Sequence, residues 1–243
     1  MSRVSRRKAL AATVLGSFAT VGSLALASVD YELEVTRLDV GLGGRLAFLP
    51  DVHYHSRGEA HVESALRALE GLDPDAVVIA GDLVDEETKD MEGLDSVLGR
   101  MEARVKLAVL GNHEYWSGRA SATVRALRRW RFEVLTDRFA ETPLGKVFGY
   151  DWREDRRYAR VSTDGLVLAH DPNAADSVAG GALVLAGHTH GGLVIGGLTV
   201  LTNSRYNRGL YELRGARLYV SRGIGQMLHQ VRVNSRPELL IVD

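Results

Sequence analysis

Four short groupings of carboxylates, imidazoles and an amide set the chemistry this chain can do. Asp51-x-His53 and His188-x-His190 each place two ligand-type residues two apart, and such residues in extended chain point to the same side. Each pair can grip one cation or two adjacent ones. In Gly81-Asp82-Leu83-Val84-Asp85, a glycine that permits a tight turn precedes a carboxylate whose two oxygens can bridge two metals. Asp85 reads as a structural or supporting acceptor. Gly111-Asn112-His113-Glu114 sets an amide oxygen beside an imidazole, so Asn112 can ligate while His113 faces a substrate. Mixed carboxylate and imidazole donors suit manganese, iron, zinc or nickel, whereas magnesium and calcium sites carry more oxygen and less histidine. Manganese is the expected ion. The chain has no cysteine, which excludes disulfide scaffolds, zinc fingers, iron–sulfur centres and thiol nucleophiles.

The elements that must position these residues are legible as apolar runs. Residues 44–50 run into Asp51, residues 75–81 into Asp82, and residues 105–111 into Asn112. Residues 165–169 then precede His170, and residues 181–187 precede His188. The same arrangement, a buried strand delivering a ligand-type residue at its C-terminal end, thus occurs five times. Asp51, Asp82 and Asn112 stand about thirty residues apart, which suits successive strand–helix–strand units. In open α/β sheets ligands bind at the carboxyl ends of strands, so five such ends make one site. Ser56-x-x-Glu59 has the form of a capping box, and Val62, Ala65, Leu66 and Leu69 follow at helical spacing. Met91, Leu94, Val97 and Leu98 repeat that spacing. Beyond His190 the runs at 198–201, 216–220 and 238–242 predict a second, mainly antiparallel sheet.

Together these blocks, with Gly187-His188-Thr189-His190-Gly191, resemble the calcineurin-like metallophosphoesterases, all five in that family's order. The resemblance runs from about Arg45 to the C-terminus. Tyr206-Asn207-Arg208-Gly209, Ser221-Arg222-Gly223 and Arg236-Pro237-Glu238 are similar to its exported or membrane-associated YkuE-type bacterial branch. It implies a four-layer α/β/β/α sandwich of two mixed sheets flanked by helices. It implies two divalent metal ions: Asp51, His53 and His190 on the first, Asn112, His170 and His188 on the second, and Asp82 between them. By the same resemblance the reaction is phosphodiester or phosphomonoester hydrolysis by a hydroxide bridging ions ~3.5–4 Å apart. His113 is then catalytic at the leaving oxygen, a role worth roughly 10²–10⁴-fold in rate. One departure is Pro50, where the family has a small polar residue; proline removes a backbone donor beside the site but no ligand.

Any one of these motifs alone is weak, because Gly-Asp is a common turn and a lone histidine is usually packed or solvated. Five of the 8 histidines fall in the motif blocks, so structural coincidence explains them poorly. The other three read differently: His61 as a solvent-facing helix residue, His55 and His229 as structural. Arg208 and Arg222 are candidates for a non-bridging phosphate oxygen, since a guanidinium forks onto two oxygens. Tyr54, Tyr115 and Trp116 adjoin the metal loops and can wall the substrate or simply pack. Arg125, Arg128, Arg129 and Arg131 read as a solvated helix face.

At 243 residues, 45% of them hydrophobic, the chain can bury one substantial core. Arg6-Arg7 followed by an uncharged stretch to Ala27 has the form of a twin-arginine export signal, with Ala25-Leu26-Ala27 as its cleavage motif. Residues 1–27 are therefore expected to be a signal peptide and 28–243 the metallophosphoesterase domain, exported outside the cytoplasmic membrane. Arg3, Arg6, Arg7 and Lys8 lie in that leader, leaving 26 basic against 31 acidic residues. That balance argues against a nucleic-acid partner. The expected partners are a phosphate-ester substrate from the envelope, lipids or nucleotides, the twin-arginine machinery, and a membrane surface. Two alternatives stand: an enzyme like those cleaving the pyrophosphate of UDP-2,3-diacylglucosamine, which an uncleaved leader would favour, and a catalytically silent metal-binding envelope protein.

Overall fold

A computed structural model of the chain describes residues 32–195, 198–225 and 235–243. The leader expected over residues 1–27, and His229, lie outside the described residues. Strands β1 (Glu34–Leu38) and β2 (Leu46–Leu49) lead to helix α1 (Ala60–Leu72), then β3 (Ala76–Ala80), α2 (Leu94–Gly99) and β4 (Val105–Val109). Helices α3 (Asn112–Trp116) and α4 (Ala120–Arg129) follow, then β5 (Glu133–Val134), β6 (Arg138–Thr142), β7 (Gly145–Gly149), β8 (Val161–Ser162) and β9 (Leu166–Leu168). A 3-10 turn (Pro172–Ser177) precedes β10 (Val178–Ala179), β11 (Ala182–Ala186), β12 (Leu193–Ile195), β13 (Leu198–Leu201), β14 (Gly209–Glu212), β15 (Ala216–Val220) and β16 (Glu238–Val242).

Two six-stranded sheets form, in the orders β1-β16-β2-β3-β4-β5 and β14-β15-β11-β9-β7-β6. Both are mixed, since β16 runs antiparallel to β2 in the first while β14 and β6 run antiparallel to their neighbours in the second. The expected sandwich is present, and side-chain alternation builds it. In β2, Ala47 and Leu49 join the core under α1, α2 and α4, while Leu46 and Phe48 enter the layer between the sheets. In β9, Leu166 and Leu168 meet that layer from the other side, and Val167, with Ala169 just beyond the strand, faces outward. Strands covered on both faces carry no polar alternation, which is why these runs read as continuous apolar stretches. Among the described residues the outer face of the second sheet is covered by the 3-10 turn and Tyr158, Tyr206 and Tyr211 rather than by an α-helix. Small residues there, Ala169, Ala182 and Ala186, let a single turn lie close.

The C-terminal runs depart from the expected second antiparallel sheet. Residues 216–220 do join the second sheet, but as β15 parallel to β11. Among the described residues, 198–201 pair only with β12 in a hairpin. Residues 238–242 insert in the first sheet, between β1 and β2. A five-residue run buried throughout needs neighbours on both edges and both faces, and only an interior slot supplies them. Helix α1 also begins later than Ser56-x-x-Glu59 predicts: Glu59 accepts from the backbone N–H of His55 (2.9 Å) and Ser56 (3.4 Å), while Ser56 makes no cap.

Leu240 on β16 is fully buried between the sheets, whereas Leu210 on β14 is 47% exposed. Leu240→Ala is expected to destabilise by about 2–5 kcal/mol and Leu210→Ala by less than about 0.5 kcal/mol in urea denaturation.

Candidate metal centre

Strands β2, β3 and β4 of the first sheet and β9 and β11 of the second end side by side, so their following loops meet across the seam of the sandwich. The backbone there is not extended. Among the described residues nine non-glycine positions have positive φ, and five are Asp51 (52°), His53 (45°), Asp82 (51°), His188 (73°) and His190 (50°). This corrects the expectation that strand alternation aims Asp51 with His53 and His188 with His190. Each instead turns through the left-handed region, which side chains rarely adopt and which clusters at functional sites. Asp51 and His53 nonetheless stay together, while His188 and His190 part. Asp51, His53 and His190 offer ligand atoms within 4.8 Å of one another, and Asp82, His170 and His188 form a second such group.

Partners on the far side of each ring set which nitrogen faces inward. His53 Nδ1 lies 2.8 Å from Asp85 Oδ2, His170 Nδ1 donates to the Ala80 carbonyl (2.9 Å), and His190 Nδ1 to that of Gly225 (3.1 Å). All three present Nε2 to the centre. Such outer acceptors fix tautomer and ring orientation at metal sites. His188 is reversed, with Nδ1 3.1 Å from His170 Nε2 and Nε2 accepting from Arg156 Nη2 (2.6 Å). Asn112 Oδ1 lies 3.1 Å from His170 Nε2, joining the second group.

The carboxylates are almost wholly buried. Asp82 Oδ2 stands 3.1 Å from His170 Nε2 and 3.9 Å from His53 Nε2, between the two groups, while Oδ1 accepts the His113 N–H at 2.9 Å. Burial alone would raise its pKa, but the surrounding imidazoles, His170 foremost, hold it well below the usual range. Asp51 accepts the His188 N–H and is pushed up to about 6, chiefly by burial. His53 Nε2 is buried with no hydrogen-bond partner. An unpaired inward lone pair beside two buried carboxylates is what a cation would satisfy, so the donor set fits divalent metals.

Several supporting residues were given no role by the sequence pattern. Glu114 is fully buried and accepts three backbone N–H groups, from Gly111 (2.8 Å), Asp82 (3.0 Å) and Val84 (3.1 Å), tying the β3 and β4 loops together. Burial first, then Asp82, pushes its pKa up to about 7. Glu86 Oε2 lies 2.7 Å from His113 Nδ1. Trp152, Arg156 and Asn203 surround His188, in segments with no motif of their own. Two glycines are forced: Gly81 has φ +80° and a Cβ there would stand 2.5 Å from His170 Nδ1, while one on Gly111 would strike the Asp82 carboxylate.

Other expected residues fall out differently. His61 is buried rather than solvent-facing; its Nε2 donates to the Val52 carbonyl, bracing the turn between Asp51 and His53. His55 takes a structural place against Asp85 (2.9 Å) and Glu59 (3.1 Å). Arg222 Nη2 faces Glu238 and Glu34, both at 3.1 Å, so carboxylates rather than a phosphate stand against that nitrogen. Arg208 is half-buried in the turn before β14. Tyr54 is fully buried and packs, so it walls nothing; Tyr115 and Trp116 are exposed beside the centre. Arg125, Arg128, Arg129 and Arg131 are solvated.

Residues 44–192, which hold all seven candidate ligands and His113, match the family model described as calcineurin-like phosphoesterase. The chain belongs to that family. This calcineurin-like phosphoesterase is 32% identical to an uncharacterized metallophosphoesterase of Aquifex aeolicus over 95% of this chain and 96% of that one. It is 28% identical to a zebrafish (Danio rerio) transmembrane protein with metallophosphoesterase domain, over 87% of this chain and 55% of that protein. With the uncharacterized metallophosphoesterase YkuE of Bacillus subtilis it shares 26% identity, over 69% of this chain and 67% of that one. Family membership supports a metal-dependent phosphoesterase, and the two Asp/His groups are where this phosphoesterase could hold metal.

Two outcomes test the centre. Asp85→Ala removes the acceptor behind His53 and is expected to weaken metal binding roughly 10–100-fold, measured by chelator competition. Burial alone would lower the His170 pKa, but Asp82 and Asp51 raise it to about 10 in the metal-free protein. A proton therefore occupies that ring from neutral pH up to about 10, and metal must displace it. Metal binding is expected to release protons and to tighten as pH rises, read by calorimetry in buffers of different ionisation enthalpy.

Proposed function

We propose that the chain is a binuclear-metal-dependent phosphoesterase that hydrolyses a phosphomonoester or phosphodiester outside the cytoplasmic membrane. The observation that carries this reading is the pair of largely buried Asp/His groups meeting at Asp82, with His53 Nε2 aimed in and unpaired. Asp51, His53 and His190 would hold one ion and Asn112, His170 and His188 the other, with Asp82 shared; manganese is the favoured metal. Divalent cations there, when bound, supply charge neutralisation at the phosphoryl group and acidify water.

The chain's own groups do the rest. His113 is held through Nδ1 by Glu86 and through its backbone N–H by Asp82, which leaves Nε2 to give a proton to the leaving oxygen. Asp85, Ala80 O and Gly225 O keep three imidazoles turned inward, so little reorganisation is needed when charge develops. Export by the twin-arginine route, cleavage after Ala27 and membrane association belong to the same proposal. No helix among the described residues is long and apolar enough to cross a membrane.

Metal analysis of the purified protein, followed by hydrolysis of an aryl phosphomonoester and phosphodiester with added manganese, tests the reading. His113→Ala is expected to keep its metal and lose roughly 10²–10⁴-fold in kcat. Asp82→Asn is expected to lose metal and turnover together. Native protein with no metal-dependent turnover would sink the enzyme, and full activity in Asp82→Asn would sink the shared ligand.

A further inference from the structure

Trp116 is the most exposed large hydrophobic side chain recorded among the described residues, at 53%, and it ends α3, three residues after His113. An exposed indole usually moves, but this one is held at three points. Its ring meets His113 edge-on at 5.2 Å between centroids and Trp152 at 6.3 Å, and its Nε1 donates to Glu154 Oε2 at 3.0 Å. Trp152 Nε1 donates to the same carboxylate oxygen at 3.1 Å, so Glu154 clamps both indoles. Trp152 itself is buried, standing against His170 and His188 with the Arg156 guanidinium over its ring. Trp152 is thus the support, and Trp116 presents the open surface.

We propose that Trp116 is a fixed platform for the leaving group of the substrate, and that this group is a flat ring, as in an aryl or nucleoside phosphoester. This rests on the phosphoesterase reading above, because the platform adjoins the histidine assigned to the leaving oxygen. A group leaving toward His113 passes across the indole. A fixed indole fits a ring better than an acyl chain, since a ring gains by stacking on one rigid face whereas a chain needs a long apolar groove. Around Trp116 the surface is polar: Tyr115 is hydrogen-bonded to Asp151, and Glu154 closes the other edge. The remaining exposed large hydrophobics recorded among the described residues, Val35, Phe139 and Leu210, lie on three different strands, β1, β6 and β14.

Phosphonates test this without turnover, because the C–P bond is not hydrolysed. Methylphosphonate, phenylphosphonate and octylphosphonate are titrated into manganese-supplied native, Trp116→Ala and Trp116→Phe proteins, with calorimetry for Kd and the tryptophan Nε1–H resonances for location. Native protein is expected to bind phenylphosphonate about tenfold more tightly than methylphosphonate and to shift the Trp116 resonance. Trp116→Ala is expected to bring that ratio near one with methylphosphonate affinity kept, and Trp116→Phe to restore most of it. Equal weakening of both ligands in Trp116→Ala, or an unchanged ratio, overturns the platform while leaving the phosphoesterase reading intact. Tighter binding of octylphosphonate than phenylphosphonate overturns the flat ring in favour of an alkyl chain. Failure of all three phosphonates to bind native protein overturns the phosphoesterase reading and the platform with it.

Discussion

Asp82 imposes the constraint around which the rest of the site is arranged. A carboxylate that is 1% exposed is costly to keep ionised unless positive charge or strong donors stand against it. Its oxygens find a backbone N–H and the inward nitrogen of His170, with the unpaired His53 Nε2 standing off at 3.9 Å, and its own backbone N–H is taken by Glu114. Glu114 then needs neighbours of its own, and finds them in the N–H groups of Gly111 and Val84. One buried charge therefore fixes the relative positions of the loops after β3 and β4. It also couples the first sheet, which supplies Asp82, to the second, which supplies His170.

Holding so many polar groups at one seam requires backbone shapes that local preference opposes. Left-handed φ at Asp51, His53, Asp82, His188 and His190 is sustained because each strand before them is buried on both faces and cannot shift to relieve it. The chain also clears space. Gly81 and Gly111 let the β3 and β4 loops approach within a distance that any side chain would block. Rigidity of the sandwich and strain at its edge are two sides of the same arrangement: the first stabilises the second.

The candidate ligands were legible in the sequence because strand ends and side-chain chemistry are local. Five apolar runs, each stopping at a carboxylate, amide or imidazole, needed no tertiary knowledge to read, and β2, β3, β4, β9 and β11 all lie where those runs placed them. What stayed hidden depended on long-range packing. The run at 238–242 is as apolar as any, yet nothing within it says that it enters the first sheet rather than the second. His61 sits one residue outside the predicted apolar stripe of α1 and is buried because the Asp51–His53 turn lies over it. Glu114 stood in plain view within a motif, but its three hydrogen bonds reach residues 3 to 32 positions away. Trp152, Arg156 and Asn203 had no signal at all, since their segments carry no periodicity.

The orientation of the four imidazoles also defines the side from which the centre is approached. His53, His170 and His190 turn their outer nitrogens toward Asp85, Ala80 and Gly225, so protein closes the centre behind them. His188 alone turns its outer nitrogen toward groups near the surface, Arg156 and the exposed Asn203. His113 stands in contact with His53 on one side and with the exposed Trp116 on the other. His188 and His113 thus border one side of the centre, with a guanidinium at one end and an indole at the other. A molecule entering there meets a cation suited to anionic oxygens before it meets the buried carboxylates that would repel it. That order of encounter requires only the reversed ring of His188 and the turn that carries Arg156, itself left-handed at φ 52°.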